Sequence, residues 1–220
     1  MKIESKIQTI GDFDANWTDE QIKNEPMLFN CSLDGALALG GDITKEFIKS
    51  LYKTEDGKKI FDSDVVIDSR SHMLMSGWYP AIPGYHHDSV PRSGFNGQPN
   101  YINPECRPKH VMGLVNAHIC PTQFALGDIE LEVPTEGVIY KQWHPEVKMA
   151  VDYGWMDSYS AESGKLIHFD DRTFHQGTAA VASGWRWFIR LSYDDDRTKN
   201  VTNEVRHQVQ VYLEHPMEGW

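Results

Sequence analysis

Cysteine is scarce. Cys31, Cys106 and Cys120 are the only three in 220 residues, and no two form a C-x-x-C pair. An odd, scattered set supplies neither a disulfide framework nor a zinc ribbon, and it reads as reduced thiols in a cytoplasmic protein. Long apolar runs are absent too. No stretch approaches the roughly 20 residues a membrane span needs, and MKIESKIQTI lacks the apolar core of a signal peptide, so no membrane role is expected. Basic residues are in deficit, 21 Lys and Arg against 32 Asp and Glu, for a formal net charge of −11. Phosphate-backbone binding draws largely on Lys and Arg, so a small-molecule or peptide substrate is favoured over nucleic acid, with room left for a local basic pocket. Repeats, low-complexity tracts and linkers are missing as well. The expectation is one domain over residues 1–220, with 1–60 an irregular and helical cover and 61–213 the core. Oligomeric state is not legible.

What the chain does hold is a series of short strand-like stretches. Ile43–Tyr52 is the one clear helix, with Phe47, Ile48, Leu51 and Tyr52 as its apolar stripe and Asp42 or Thr44 to cap it. Glu55–Lys59 reads as a turn around Asp56-Gly57. Strands are expected within Val65–Gly77, Val111–Cys120, Ile129–Val133, Gly137–Trp143, Lys165–Phe169, Trp185–Tyr193 and Val205–Leu213. Ser93–Pro108 reads as a long loop, and Asp194-Asp195-Asp196 as a solvated turn. Many short strands with Gly, Pro and Asp turns point to a mainly β protein, a sandwich or jelly roll with a few flanking helices.

The chemistry concentrates in two places. In Trp185–Tyr193, Trp185, Trp187, Ile189, Leu191 and Tyr193 face one way, to pack under the helix at Ile43–Tyr52, while Arg186, Phe188, Arg190 and Ser192 face the other. In Tyr85-His86-His87-Asp88, His86 and Asp88 stand two residues apart, a spacing that shares a side only on a strand. His168-x-Asp170 and the adjacent His87-Asp88 compete for the same role. Adjacent strand residues point to opposite faces, which weakens the second. The first leaves His175 only five residues beyond Asp170. His86 and Asp88 with the distant His175 suit a site closed by strands far apart in sequence. Two imidazoles and one carboxylate on one metal face, with positions left open, make the donor set of non-haem Fe(II) oxygenases. A dicarboxylate co-substrate would then need a buried cation, for which Arg186 and Arg190 are the alternatives. His72, His110, His118, His144, His207 and His215 read as structural or incidental, and His87 as structural.

His86-x-Asp88, GKLIHFDDRTFHQG with its His175, and Arg186 in GWRWFIR together resemble the Fe(II)/2-oxoglutarate-dependent oxygenases, with arginine spacing similar to the taurine dioxygenase and phytanoyl-CoA hydroxylase branches. The resemblance implies a double-stranded β-helix, a cupin-like jelly-roll barrel. It also implies iron held by His86, Asp88 and His175, and 2-oxoglutarate paired through its far carboxylate with Arg186 or Arg190. O2 would be consumed in oxidative decarboxylation to succinate and CO2 with hydroxylation of a substrate. Thr122, in PTQFALG, is similar to a family position that touches the co-substrate. Tyr85 and Arg92 flank the H-x-D pair and are expected to meet substrate. The rivals are a cupin-like metalloenzyme that does not use 2-oxoglutarate and a non-catalytic jelly-roll binding module.

Overall fold

The strand that carries both arginines lies inside the largest of three sheets. In the computed structural model, which describes residues 1–213, this strand β10 (Gly184–Tyr193) pairs on one edge with β4 (Val65–Leu74) and on the other with β5 (Lys109–Val115). Beyond β5 come β8 (Lys165–Asp170) and β2 (Ile7–Asp12), giving the order β2-β8-β5-β10-β4. The second sheet is built on β6 (Thr122–Glu130). It carries β7 (Asp157–Ser160) on one edge and β1 (Lys2–Ser5) and β9 (His175–Gly177) on the other. A small ribbon joins β3 (Met27–Phe29) to β11 (Glu204–Arg206). Every pairing is antiparallel, and the protein is mainly β.

The sheets face each other, and alternation decides what lies between them. Met112, Leu114, Ile167 and Phe169 of the large sheet pack against Phe124 of the small one. The opposite faces are covered by helices. On the large sheet, Trp187, Ile189 and Leu191 pack with Ile43, Phe47, Ile48 and Leu51 of α3 (Asp42–Lys53). Burying each such side chain contributes about 1.5–3 kcal/mol. The expected division of β10 into an apolar outer face and an arginine-bearing inner face therefore holds. Gly113 on β5 is required by the same layer, because a Cβ there would lie 2.8 Å from Phe13 and 2.9 Å from Phe47. Outside the small sheet, Tyr140, Trp143 and Val147 of α5 (Ile139–Asp152) pack with Ile3, Ala125 and Phe174.

Several local expectations are corrected. The first 40 residues are not irregular: they contribute β1, β2, β3, α1 (Asp19–Asn24) and α2 (Leu33–Leu39). Tyr52 of the expected α3 stripe is 60% exposed, and Ile43 takes its place. Neither Asp42 nor Thr44 caps α3. The buried Glu25 carboxylate, 16 or more residues away, accepts from the backbone N–H groups of Gly41, Ile43 and Thr44. Glu55–Ile60 is a helix, α4, with Thr54 Oγ1 accepting from Gly57 N at 2.8 Å. Gly57 serves close approach there, since a Cβ would fall 1.8 Å from Leu51 O. Gly137–Trp143 is not a strand either. It leads into α5, where Tyr140, Trp143, Val147 and Ala150 keep one buried face across Pro145. An interior proline costs a hydrogen bond and about 3 kcal/mol, which burial of two large aromatics offsets. The strand expected over Val205–Leu213 shrinks to β11 plus a bridge from Tyr212 to Tyr79. Of the acidic turn, Asp195 is buried rather than solvated. His215 lies outside the described residues.

Candidate metal centre

His86 and His175 are brought together by backbone alone. The two residues exchange a pair of hydrogen bonds, His86 N to His175 O at 3.0 Å and His175 N to His86 O at 3.1 Å. Directly opposed residues project to one side, and the imidazole rings lie 4.7 Å apart between centroids. The two-residue step then sets Asp88 beside His86 and turns His87 the other way. His87 enters the aromatic layer against Phe174, 3.9 Å between ring centroids, and its Nδ1 pairs with Tyr101 Oη at 2.8 Å.

The imidazoles are held in defined tautomers. His86 Nδ1 lies 2.8 Å from Gly84 O and His175 Nδ1 lies 2.9 Å from Thr173 O. A carbonyl only accepts, so each Nδ1 carries a proton, and Nε2 is the atom each ring turns into the cluster. Both Nε2 atoms approach Asp88: His86 Nε2 is 3.8 Å from Oδ1 and His175 Nε2 is 3.1 Å from Oδ2. All three ligand atoms lie within 4.8 Å of one another. Burial, with the neighbouring His175 adding to it, pushes His86 down to about 4. Burial alone would raise the Asp88 carboxyl, but Arg190 and His175 outweigh it and hold the group well below the usual carboxylate range. Two imidazoles and an ionised carboxylate, with both Nδ1 atoms anchored to carbonyls, form the donor set and outer support of a transition-metal site.

The cavity beside this cluster, about 270 Å³, lies between the sheets. His86, Asp88, His175, Thr122, Arg186 and Arg190 all line it, with Met112, Phe169 and Phe188 as apolar walls. Arg186 is 3% exposed; its Nε donates to Cys120 O at 2.6 Å and its Nη2 to Thr122 Oγ1 at 3.2 Å. It has no carboxylate partner among the described residues, and burial lowers its basicity. Arg190 differs. It pairs with Asp88 through Nη1 and with Asp68 at 3.5 Å, and these two carboxylates outweigh burial to raise its basicity. Arg190 is thus committed to the protein's own acids, whereas Arg186 has none among the described residues.

Tyr85 and Arg92 are not brought to this cavity. Tyr85 is buried in the core beneath α5, with its Oη 3.1 Å from Gln123 Oε1 and burial pushing it up to about 12. Arg92 is exposed on the following loop. The rival His168-x-Asp170 pair is also excluded. His168 Nε2 bonds Tyr193 Oη at 2.8 Å on the helix-covered side, while Asp170 accepts from Arg172 N and Thr173 Oγ1. Sequence reading missed Asp68, Arg70 and His72, which line the cavity from β4, and Arg197, whose Nη1 donates to Asp68 at 2.8 Å. The alternation in DSRSH was the available signal. Antiparallel register sets His72 opposite Arg186, Arg70 opposite Phe188 and Asp68 opposite Arg190, so each pair shares the inner face.

No family model matches the chain, and no curated protein matches it. Among solved structures it is similar to the non-haem alpha-ketoglutarate-dependent carbocyclase SnoK from nogalamycin biosynthesis, at 12% identity and a TM-score of 0.40 over 73% of this chain and 62% of that one. EvdMO1 matches at 13% identity and a TM-score of 0.40 over 88% and 48%. HygX from Streptomyces hygroscopicus, solved with iron bound, matches at 8% identity and a TM-score of 0.36 over 86% and 83%. The chain thus spans less than two thirds of SnoK and about half of EvdMO1. These likenesses are too slight to assign chemistry, which has to come from the site's own residues. Among the described residues, no helix is long and apolar enough to cross a membrane.

Proposed function

We propose that the protein is a mononuclear Fe(II)- and 2-oxoglutarate-dependent oxygenase on a jelly-roll scaffold, acting on a small-molecule or peptide substrate, with hydroxylation as its outcome. The observation that carries this reading is a conjunction in one cavity. Two imidazoles anchored through Nδ1 to carbonyls converge through Nε2 on a carboxylate, and on the same wall stands a buried arginine with no acid partner among the described residues. The first feature fits a metal; the second fits an anion delivered to it. The facing antiparallel sheets support the jelly roll, and the cluster at their interface is where such a scaffold holds a site.

Iron held by His86 Nε2, Asp88 and His175 Nε2 would supply the activation of O2 coupled to decarboxylation of 2-oxoglutarate. The chain's own residues prepare that chemistry. Gly84 O and Thr173 O hold the Nδ1 protons and orient both Nε2 atoms toward Asp88. Arg190 fixes the Asp88 carboxylate and keeps it ionised. Arg186 receives the far carboxylate of 2-oxoglutarate, helped by the Thr122 hydroxyl it already contacts. Met112, Phe169 and Phe188 keep water away, which strengthens that pairing.

The test is anaerobic difference absorbance on adding Fe(II) and 2-oxoglutarate to wild type and to His175→Ala. A weak visible band in the wild type and none in the variant is the expected result. Iron bound without a band would remove the co-substrate and favour a cupin-like metalloenzyme, while no bound iron would leave a binding module.

A further inference from the structure

The cavity continues outward into a wider chamber of about 850 Å³ that still borders His86 and Asp88. That volume suits a small organic molecule. Its wall carries two more arginines, Arg70 of β4 and Arg206 of β11, both set against one aromatic ring. The Arg206 guanidinium lies 3.4 Å from the Phe29 ring centroid and that of Arg70 lies 5.8 Å from it. Arg70 also donates to the Leu28 and Ser69 carbonyls at 3.0 and 2.7 Å. Among the described residues neither arginine has an acid partner, whereas Arg190 and Arg197 are both paired with aspartates. In a chain of net charge −11, two unpaired guanidiniums facing one chamber repel each other. Burial, Arg206 and Arg190 together lower the basicity of Arg70 against the pull of Asp68. Arg206 lies over the Phe29 ring at an exposed position, and its N–H groups make no hydrogen bond among the described residues; they form the edge by which a guanidinium reads oxyanions.

We propose that Arg70 and Arg206 form a second anion site, which grips a phosphate or carboxylate on the substrate and leaves the rest of the molecule to reach His86 and Asp88. This deepens the oxygenase reading and rests on it. Arg186 serves the co-substrate, and the outer pair selects a substrate that is itself an anion. Neutral and cationic molecules of the same size are rejected, because they leave the two like charges uncompensated.

Calorimetric titration tests this on Mn(II)-loaded protein saturated with N-oxalylglycine, a 2-oxoglutarate analogue that fills the Arg186 position. The probes are phenyl phosphate, benzoate and neutral benzyl alcohol. At least one of the two anions should bind saturably and the alcohol should not; which anion binds tighter separates phosphate from carboxylate recognition. Arg206→Gln, at an exposed position, should weaken the anion roughly tenfold and leave N-oxalylglycine affinity unchanged. Arg70→Lys, which keeps charge but loses the fork, should weaken it as well. Equal anion affinity in wild type and Arg206→Gln, or an anion that binds only when N-oxalylglycine is withheld, would overturn the second site. So would no binding of either anion. Loss of N-oxalylglycine binding with the Arg206-dependent anion site intact would instead remove the co-substrate reading alone.

Discussion

Replacing Arg186 with methionine separates what this residue does for a ligand from what it does for the fold. The side chain is 3% exposed and its Nε and Nη2 donate to Cys120 O and Thr122 Oγ1. Burying a charge without a counter-ion costs several kcal/mol, and two charge-assisted hydrogen bonds return about 1.5–3 kcal/mol each. Methionine removes both sides of that balance and fills similar space, so the unliganded variant should melt within a few degrees of wild type. Ligand binding has no such compensation. Losing a charge-assisted pair to a carboxylate should weaken N-oxalylglycine by about 10- to 150-fold. At a ligand concentration 100 times the wild-type Kd, binding stabilises the wild type by about 2.7 kcal/mol, or about 5–11 °C for a domain of this size. After a hundredfold loss, the same concentration gives about 0.4 kcal/mol and about 1–2 °C. Melting curves of Mn(II)-loaded wild type and Arg186→Met, with and without ligand, read both quantities. An equal ligand shift in the two proteins would refute the assignment of Arg186.

Two further outcomes follow from buried groups outside the metal cluster. Burial, with Arg186 and Arg70 adding to it, pushes His72 down to about 3, while in the unfolded chain a histidine titrates near 6.5. Between those values the unfolded state binds more protons, so stability rises with pH through that window and is lost on acidification. His72→Gln should therefore flatten the fall in Tm between about pH 6.5 and pH 4, by up to about 1.4 kcal/mol per pH unit; an unchanged slope would show that His72 accepts its proton without cost. Glu25→Ala strips the α3 N-terminus of the carboxylate that serves Gly41, Ile43 and Thr44. It should cost about 2–3 kcal/mol and lower Tm by about 4–12 °C, read by thermal denaturation.

How much could be read in advance depended on whether a residue's partners were local. The inner and outer faces of β10 were legible because alternation is a property of the strand itself; the two-residue spacing of His86 and Asp88 also pointed to one side, although only the isolated bridge at His86 forms there and no strand. The exchange of hydrogen bonds between His86 and His175 was not legible, since it joins segments 89 residues apart. Glu25 as the cap of α3 was hidden likewise, by a turn whose path no local pattern states. Alternation in Asp68, Arg70 and His72 was present but unused, because Val65–Gly77 carries no motif to draw attention to it. Helix α5 was missed for a different reason. Pro145 and the β-forming run GVIY both argue against a helix, and the buried stripe that decides the matter becomes visible only when the residues on both sides of the proline are taken together. Arg190 and Arg186 look equivalent in sequence; the two acid partners of Arg190, Asp88 and Asp68, contributed by other segments, make them different.

The segment Lys2–Asp12 enters both sheets, β1 beside β6 and β2 beside β8, with Lys6 alone between them. During synthesis these residues leave the ribosome long before Thr122–Glu130 and Lys165–Asp170. At about 5–20 residues per second, the wait is about 10–30 s. Neither sheet can complete its edge until then, so closure is a late, long-range event of the kind that slows folding. Through that interval an alternating stretch, KIESKIQTI, is exposed with no strand to join. Lys2, Glu4 and Lys6, which stay on the solvent side of β1 and its junction, place a charge at every second position and discourage it from pairing with another chain in the meantime.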